Sequence, residues 1–403
     1  MVLIRSSGRR QIIFHKQKGK TDMITLEESR TQIDRIDREL TRLMEERMRT
    51  AGDIAAYKKE HGLPVLDASR ERSKLRQIAG MTDELYRDDI LQLYGVILEL
   101  SKSFQSRILG TDDSLVQKIR QSIENTAQLF PSDASVACQG LEGSNSQIAC
   151  DRLVRHANIM YFSSFDAVFS AVEKGLCRYG MIPVENSTAG SVNAVYDLMQ
   201  QHQFYIARSI RLKVDHNLLA LPGTRTEEIR EIYSHEQALS QCSRFLHDLK
   251  GVKLVPCENT AVAARMVAES GRKDIAALAS RACSGIYGLQ ILKESVQNQS
   301  NNYTRFICIS KQLEIYPGAD RTSLILTLPH EQGSLYKVMS RLYTLGINLN
   351  KLESRPIPDR DFEFRFYFDL DVPVYSPKLL QLMGEIGTIC ESFTYLGSYS
   401  EMV

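Results

Sequence analysis

The chain has 403 residues, 43% of them hydrophobic and 25% charged, a globular composition that excludes a disordered chain, a fibre or a small disulfide scaffold. Its length calls for two or three domains, since a single core rarely grows past ~300 residues. The 50 basic and 49 acidic residues leave a net charge of +1, so a nucleic acid is not the expected partner. No apolar run approaches the ~20 residues of a membrane-spanning helix. The eight cysteines are scattered with no CxxC pair, and reduced thiols in a cytoplasmic protein are expected. The eight histidines include no HExxH pair, so neither a metal site of sequence-local ligands nor a metal cofactor is expected.

Residues 1–22 carry six Lys/Arg against one acid, Asp22. Their apolar run, Ile12-Ile13-Phe14, is shorter than the ~7–15-residue core of a secretory signal. A basic arm without fixed structure and a mis-assigned start upstream of Met23 are both open readings. Residues 23–107 read as helices. Thr25 with Glu28 has capping-box spacing. Ile33, Leu40, Arg47 and Ile54 recur every seven residues with Ile36, Leu43 and Tyr57 beside them, one stripe running to about residue 60. A helix that long, ~50 Å at 1.5 Å per residue, cannot bury its stripe on itself and needs a partner. His61-Gly62-Leu63-Pro64 stops it. Asp67–Glu71 opens a second helix that ends at Gly80, and 82–107 forms a third.

This region puts cations where apolar residues belong. Arg47 lies in the stripe and Lys58 on the same side, three turns on. An unpaired buried cation costs several kcal/mol, so an anion between them is one reading. Snorkelling at the stripe edge, or pairing with an acid such as Asp37, is the other. The apolar face of the third helix (Ile90, Tyr94, Ile97, Leu98) runs on into Ser101 and Gln105 at i,i+4 spacing. The pattern resembles the all-helical chorismate mutases: Arg30, Arg47, Lys58, Asp67, Arg70, Glu71, Ser101 and Gln105 match that family's motif positions in order. The resemblance implies rearrangement of chorismate to prephenate, a unimolecular reaction of a dianion. Arg30 and Arg47 would bind carboxylates, and Lys58 and Gln105 would address the breaking ether oxygen. Asp67, Glu71 and Ser101 would orient the substrate, with Arg70 nearby. Arg30 and Arg47 are 17 residues apart, ~25 Å along one helix, too far for one small dianion. Sharing a site then requires a second, antiparallel copy of the helix, hence a homodimer or higher homo-oligomer; the other reading is that Arg30 is a surface residue and the domain is monomeric.

Residues 108–134 read as a polar linker with one helix over 112–130. Residues 135–312 alternate β-type runs (135–138, 180–184, 204–207, 217–221, 275–278, 306–309) with helical stretches, an α/β pattern. Two loops follow strands and open helices: Gly140–Gln147, with Ser144 and Ser146, and Pro183–Ser191, with Glu185, Asn186, Ser187 and Thr188. Each could cradle a carboxylate, though ordinary helix caps look the same. Together with Tyr233-Ser234-His235 and Thr304-Arg305-Phe306 they resemble prephenate dehydratase. That resemblance implies a two-lobed fold like type 2 periplasmic binding proteins, with no cofactor. The reaction removes CO2 and the ring hydroxyl of prephenate to give phenylpyruvate. Thr304 is the expected polar contact to the leaving hydroxyl, and Arg305 either supports a carboxylate or braces the fold. Asn145 stands where the family usually has an aromatic, and Asn259-Thr260 replaces the commoner Ser-Thr.

Residues 320–400 read as βαββαβ, the ferredoxin-like order of an α+β domain. Within it Glu353-Ser354-Arg355-Pro356 and Gly333 with Leu335 resemble the ACT regulatory domain of prephenate dehydratases. L-phenylalanine is the effector this implies, while Ser334 and Tyr336 depart from the family pattern. The order of the three regions resembles the bifunctional chorismate mutase/prephenate dehydratases of bacterial phenylalanine biosynthesis. The expectation is a homodimeric enzyme with two active sites and end-product inhibition. The rivals are a non-catalytic small-molecule sensor and an enzyme keeping one activity.

Overall fold

The structure, a computed structural model, describes residues 25–403 apart from 66, 110–113, 359, 361, 362 and 388. The basic segment 1–22 therefore lies outside the described residues. The chain divides into two units between residues 109 and 110. No described helix is long and apolar enough to cross a membrane.

The first unit is helical. Helix α1 (Leu26–Glu60) starts at Thr25, whose hydroxyl accepts from the Glu28 N–H while the Glu28 carboxylate takes the Thr25 N–H, the expected capping box. Helix α2 (Ala68–Met81) is capped by Asp67, and α3 (Arg87–Leu109) packs against both. Only Ala51 and Ala55 of α1 are buried. The stripe residues Ile33, Leu40 and Ile54 remain 55%, 55% and 46% exposed. One copy of the chain thus leaves the stripe open.

The second unit begins with α4 (Ser114–Asn125). It is more than the polar connector expected for 108–134, because Val116 and Ile119 are buried in the core of the C-terminal ferredoxin-like part. Next come β1 (Asp133–Gln139), α5 (Asn145–Leu153), β2 (His156–Phe162), α6 (Phe165–Glu173), β3 (Tyr179–Asn186), β4 (Gly190–Ser191), α7 (Asn193–Leu198) and β5 (Tyr205–Lys213). The chain then crosses into a second lobe: β6 (Asn217–Ala220), β7 (Glu231–Ser234), α8 (Glu236–Gln241), α9 (Ser243–Asp248), β8 (Lys253–Pro256), α10 (Thr260–Ser270), β9 (Ile275–Ala279), α11 (Arg281–Tyr287) and β10 (Gln290–Lys293). It returns as β11 (Tyr303–Ser310), paired antiparallel with both β3 and β5. Lobe one is the sheet β5-β11-β3-β1-β2 and lobe two the sheet β10-β6-β9-β7-β8. The two crossings stay bonded to each other, the Val214 N–H donating to the Asn302 carbonyl at 2.8 Å.

The C-terminal part is β12 (Arg321–Thr327), α12 (Ser334–Leu345), β13 (Asn348–Pro356), β14 (Phe364–Asp371), α13 (Pro377–Ile386) and β15 (Ser392–Tyr399), in sheet order β13-β14-β12-β15. This is the expected ferredoxin-like arrangement. Its helices close one core with Leu324, Leu326 and Phe368, while Ile325, Tyr367 and Leu396 pack into the core of lobe one. A last strand, β16 (Glu401–Met402), pairs with β5, so the chain end returns to the lobe-one sheet.

Candidate active sites

The helical unit holds a cavity of about 700 Å³ lined by Arg47, Lys58, Asp67, Arg70, Glu71, Ser101 and Gln105, seven of the eight residues expected there. Their helices explain the convergence. Arg47 and Lys58 come from the C-terminal half of α1, where Ala51 and Ala55 are small enough to let α3 close in. Ser101 and Gln105 lie on the facing side of α3, 5% and 8% exposed. Arg47 donates to the Ser101 hydroxyl. Lys58 Nζ donates to Gln105 Oε1 at 3.2 Å and to the Val65 carbonyl at 2.6 Å. Neither cation makes an ion pair among the described residues, so Asp37 is not their partner. Asp67 caps α2, its Oδ1 accepting from the Arg70 N–H. Lys102, which the sequence reading missed, also lines the cavity and pairs with Glu71 at 3.2 Å and Glu99 at 2.8 Å. Burial pulls its ammonium pKa down, but the two carboxylates outweigh this and raise it above the ordinary value. Arg30 lies on the exposed N-terminal half of α1 and does not line this cavity.

In the two-lobed part a side-chain network crosses the cleft. Asn186, at the end of β3, sits opposite Thr304 of β11. Its Oδ1 accepts from the N–H groups of Thr188 and Ala189, both at 3.0 Å, which fixes the amide so that Nδ2 faces the other way. Nδ2 then donates to Thr304 Oγ1 at 3.0 Å and Asn302 Oδ1 at 2.7 Å. Thr304 Oγ1 is thus an acceptor on this side, and its own proton remains free to donate. From lobe two, Gln241 Nε2 donates to Thr188 Oγ1 at 2.7 Å, and Gln241 Oε1 accepts from Asn302 at 3.0 Å. His216 Nε2 lies 2.9 Å from the same oxygen. Burial pushes the His216 imidazole below its ordinary pKa, so it is neutral at pH 7 and Nε2 carries the donated proton. Thr188, Gln241 and Asn302 line a cavity of about 330 Å³ between the lobes.

Two of the expected substrate contacts, Glu185 and Arg305, stand apart from the cleft network. Side chains of a strand alternate between faces, so Glu185 and Arg305 point opposite to their neighbours Asn186 and Thr304. Arg305 is 6% exposed and fully engaged. It bonds Glu185 (3.3 Å), Glu401 (3.0 Å), Asp369 and the Tyr399 hydroxyl (2.8 Å). Burial opposes its charge, but Tyr399 and the carboxylates hold its pKa above the ordinary value. The other oxygen of Glu185 takes Lys351 Nζ at 2.6 Å. Of the two readings of Arg305, bracing the fold is the one its surroundings favour, and Glu185 shares that role. Ser187 is spent on backbone, donating to the Asn301 carbonyl and accepting from the Tyr303 N–H. Ser144 caps α5, and Ser146 is buried in its first turn. Ser234 donates to the Leu278 carbonyl inside lobe two.

In the ferredoxin-like part, Arg365 of β14 stands between Thr327 of β12 and Arg355 of β13, so residues 353–356 and the start of α12 lie at one end of the sheet. Gly333 caps α12 with φ +85°, and Leu335 packs on the core. Glu353 accepts from Ser191, while Arg355 grips Asp197 of α7 bidentately at 2.8 and 2.7 Å. Ser354 and Pro356 are exposed.

One chain thus joins a helical unit with a cation-bearing cavity to a two-lobed part with a hydroxyl–amide network in its cleft, and the two regions match an isomerase family and a lyase family. Residues 29–106 match the family model of chorismate mutase type II, and residues 136–314 match that of prephenate dehydratase. A bifunctional chorismate mutase/prephenate dehydratase of Enterobacter agglomerans is 32% identical over 378 residues, covering 92% of this chain and 94% of that protein. The Escherichia coli K12 protein of the same description is 30% identical, covering 92% and 95%. A prephenate dehydratase from Arthrobacter aurescens, solved in complex with L-Phe, is 25% identical with a TM-score of 0.61, covering 66% of this chain and 89% of that one. The chain belongs to the bifunctional chorismate mutase/prephenate dehydratase family. It is an enzyme carrying both activities, which sets aside the reading as a non-catalytic sensor.

Proposed function

We propose that the cavity of the helical unit performs the mutase reaction and the interlobe network the dehydratase reaction, with the residue roles as follows. In the mutase site Arg47 binds a carboxylate of chorismate. Lys58 and the Gln105 amide, 3.2 Å apart, converge on the ether oxygen, where negative charge grows as the C–O bond breaks. Their work is to hold the near-attack conformer and stabilise that charge. Asp67, Glu71 and Ser101 orient the substrate, with Arg70 beside them. In the dehydratase site the bond to CO2 releases its electron pair into the ring, the hydroxyl leaves with its own pair, and Thr304 donates a hydrogen bond to it. The single observation that carries this is the Asn186 amide, which leaves the Thr304 hydroxyl as a donor. Ser144, Ser146 and Thr188 belong to the walls around the substrate.

The C-terminal part is proposed as an ACT domain that binds L-phenylalanine through Glu353–Pro356 and the Gly333–Leu335 turn. Its topology supports this, as does the L-Phe complex of the Arthrobacter aurescens relative. Inhibition has a route, because Lys351 and Glu353 of β13 hold Glu185 and Ser191, which flank Asn186 and Thr188. The helical unit is proposed to pair with a second copy through the open α1 stripe, bringing the partner's Arg30 to this chain's Arg47. Mixing inactive Arg30→Ala and Arg47→Ala variants tests the shared site: exchanged hetero-dimers regain one intact site and part of the mutase activity. No recovery despite proven subunit exchange refutes it.

A further inference from the structure

The glycine–serine loop between β1 and α5 belongs to lobe one, and its N–H groups bond there, yet two of its carbonyls are held by lobe two. Leu141 packs into the lobe-two core around Ala261, Ala264 and Cys283. The next two carbonyls are taken by α11 and its cap: the Tyr287 hydroxyl donates to the Glu142 carbonyl at 2.6 Å, and the Gly143 carbonyl accepts from Ser280 Oγ at 3.0 Å and, more weakly, from Cys283 Sγ at 3.5 Å. Ser280 is the N-cap of α11 but makes no side-chain cap bond of its own. A serine at that position ordinarily satisfies its own helix; this one reaches across the cleft. Gly143 has φ +88°, and a Cβ there would lie 2.7 Å from Cys283 Sγ, so the fit admits only glycine.

We infer that α11 clasps this loop and that Ser280 and Tyr287 are positioning residues that set closure of the dehydratase cleft. The inference rests on the dehydratase reading of that cleft. When lobe two swings away, Leu141 loses its packing and both carbonyls lose their donors, so the clasp biases the chain to the closed form in which Gln241 of lobe two bonds Asn186 and Thr188 of lobe one. Neither residue touches the reacting atoms in this scheme. Their loss lowers the closed fraction, which raises apparent substrate KM in inverse proportion and leaves turnover of the closed complex alone.

The test is steady-state kinetics of the full chain with prephenate. Tyr287→Phe with Ser280→Ala together are expected to raise KM about tenfold, with kcat and the chorismate reaction within twofold, given the modest net worth of each hydrogen bond. Ser280→Thr, which keeps the donor, is expected to restore most of the Ser280→Ala loss. Gly143→Ala is expected to weaken prephenate binding further, and Cys283→Ala in the same chain to recover part of it by removing the clashing sulfur. An unchanged KM in the double variant, or a fall in kcat at constant KM, overturns the clasp. A wild-type chain that leaves prephenate unchanged overturns the dehydratase reading and the clasp with it.

Discussion

Replacing Thr304 by valine removes one hydroxyl and keeps the shape of the side chain. The strand pairing of residue 304 with Asn186 and Leu212 is made by backbone and is retained. Asn186 Nδ2 loses one acceptor at 3.0 Å but keeps Asn302 Oδ1 at 2.7 Å and the Tyr303 carbonyl at 3.2 Å. No buried donor is orphaned, so the stability cost is at most ~1 kcal/mol. The chemical cost is larger. A donor placed on a leaving group contributes on the order of 10²–10⁴ in rate, and the dehydratase kcat is expected to fall by that range. The mutase site, built from other residues in the other unit, is untouched. Phenylpyruvate formation from prephenate and chorismate consumption, assayed on the same preparation, separate the two. A dehydratase rate within threefold of wild type refutes the role of Thr304. Equal loss of both activities in a folded protein refutes separate sites.

Lys351→Met removes the ammonium that joins β13 to Glu185 and Ser191. Phenylalanine should still give binding heat in a titration, but inhibit the dehydratase several-fold less; undiminished inhibition excludes this route. Arg305→Met leaves Glu185, Asp369 and Glu401 without their shared guanidinium. Breaking a buried pair costs about 3–5 kcal/mol, so the second unit should unfold at clearly lower denaturant while mutase activity persists there. His216 is buried and neutral, with a pKa below that of the unfolded chain. The unfolded state therefore binds more protons as pH falls below ~6.5, and the stability contributed by keeping His216 neutral is lost in that window. His216→Asn should flatten this part of the melting-temperature profile; an unchanged slope assigns the acid loss elsewhere.

Much of the mutase site was legible because its signals are local to helices. The Thr25–Glu28 box, the stripe and the polar continuation at Ser101 and Gln105 all follow from a 3.6-residue period, and the structure repeats them. The dehydratase site was only half legible. Residues 183–191 read as a loop, but β3 runs through Asn186 and β11 starts at Tyr303, so strand alternation sends Glu185 and Arg305 to the far face. Gln241 and His216 carried no local signal. Gln241 reaches Asn186 and Asn302 only through the folding of one lobe over the other, and His216 joins through Gln241. Strand β2 (His156–Phe162) is an edge strand with no buried residue, and its sequence lacks the apolar–polar alternation of a half-buried strand. Strand β16 escaped because two residues show no period at all.

The central claim is that one chain carries two sequential activities in separate sites. The direct measurement gives the purified full chain chorismate alone and follows chorismate, prephenate and phenylpyruvate over time. Chorismate is expected to fall, prephenate to rise and then decline, and phenylpyruvate to accumulate last, with Thr304→Val stopping the series at prephenate. Chorismate left unchanged, or prephenate that accumulates in the wild-type chain and is never consumed, would contradict it.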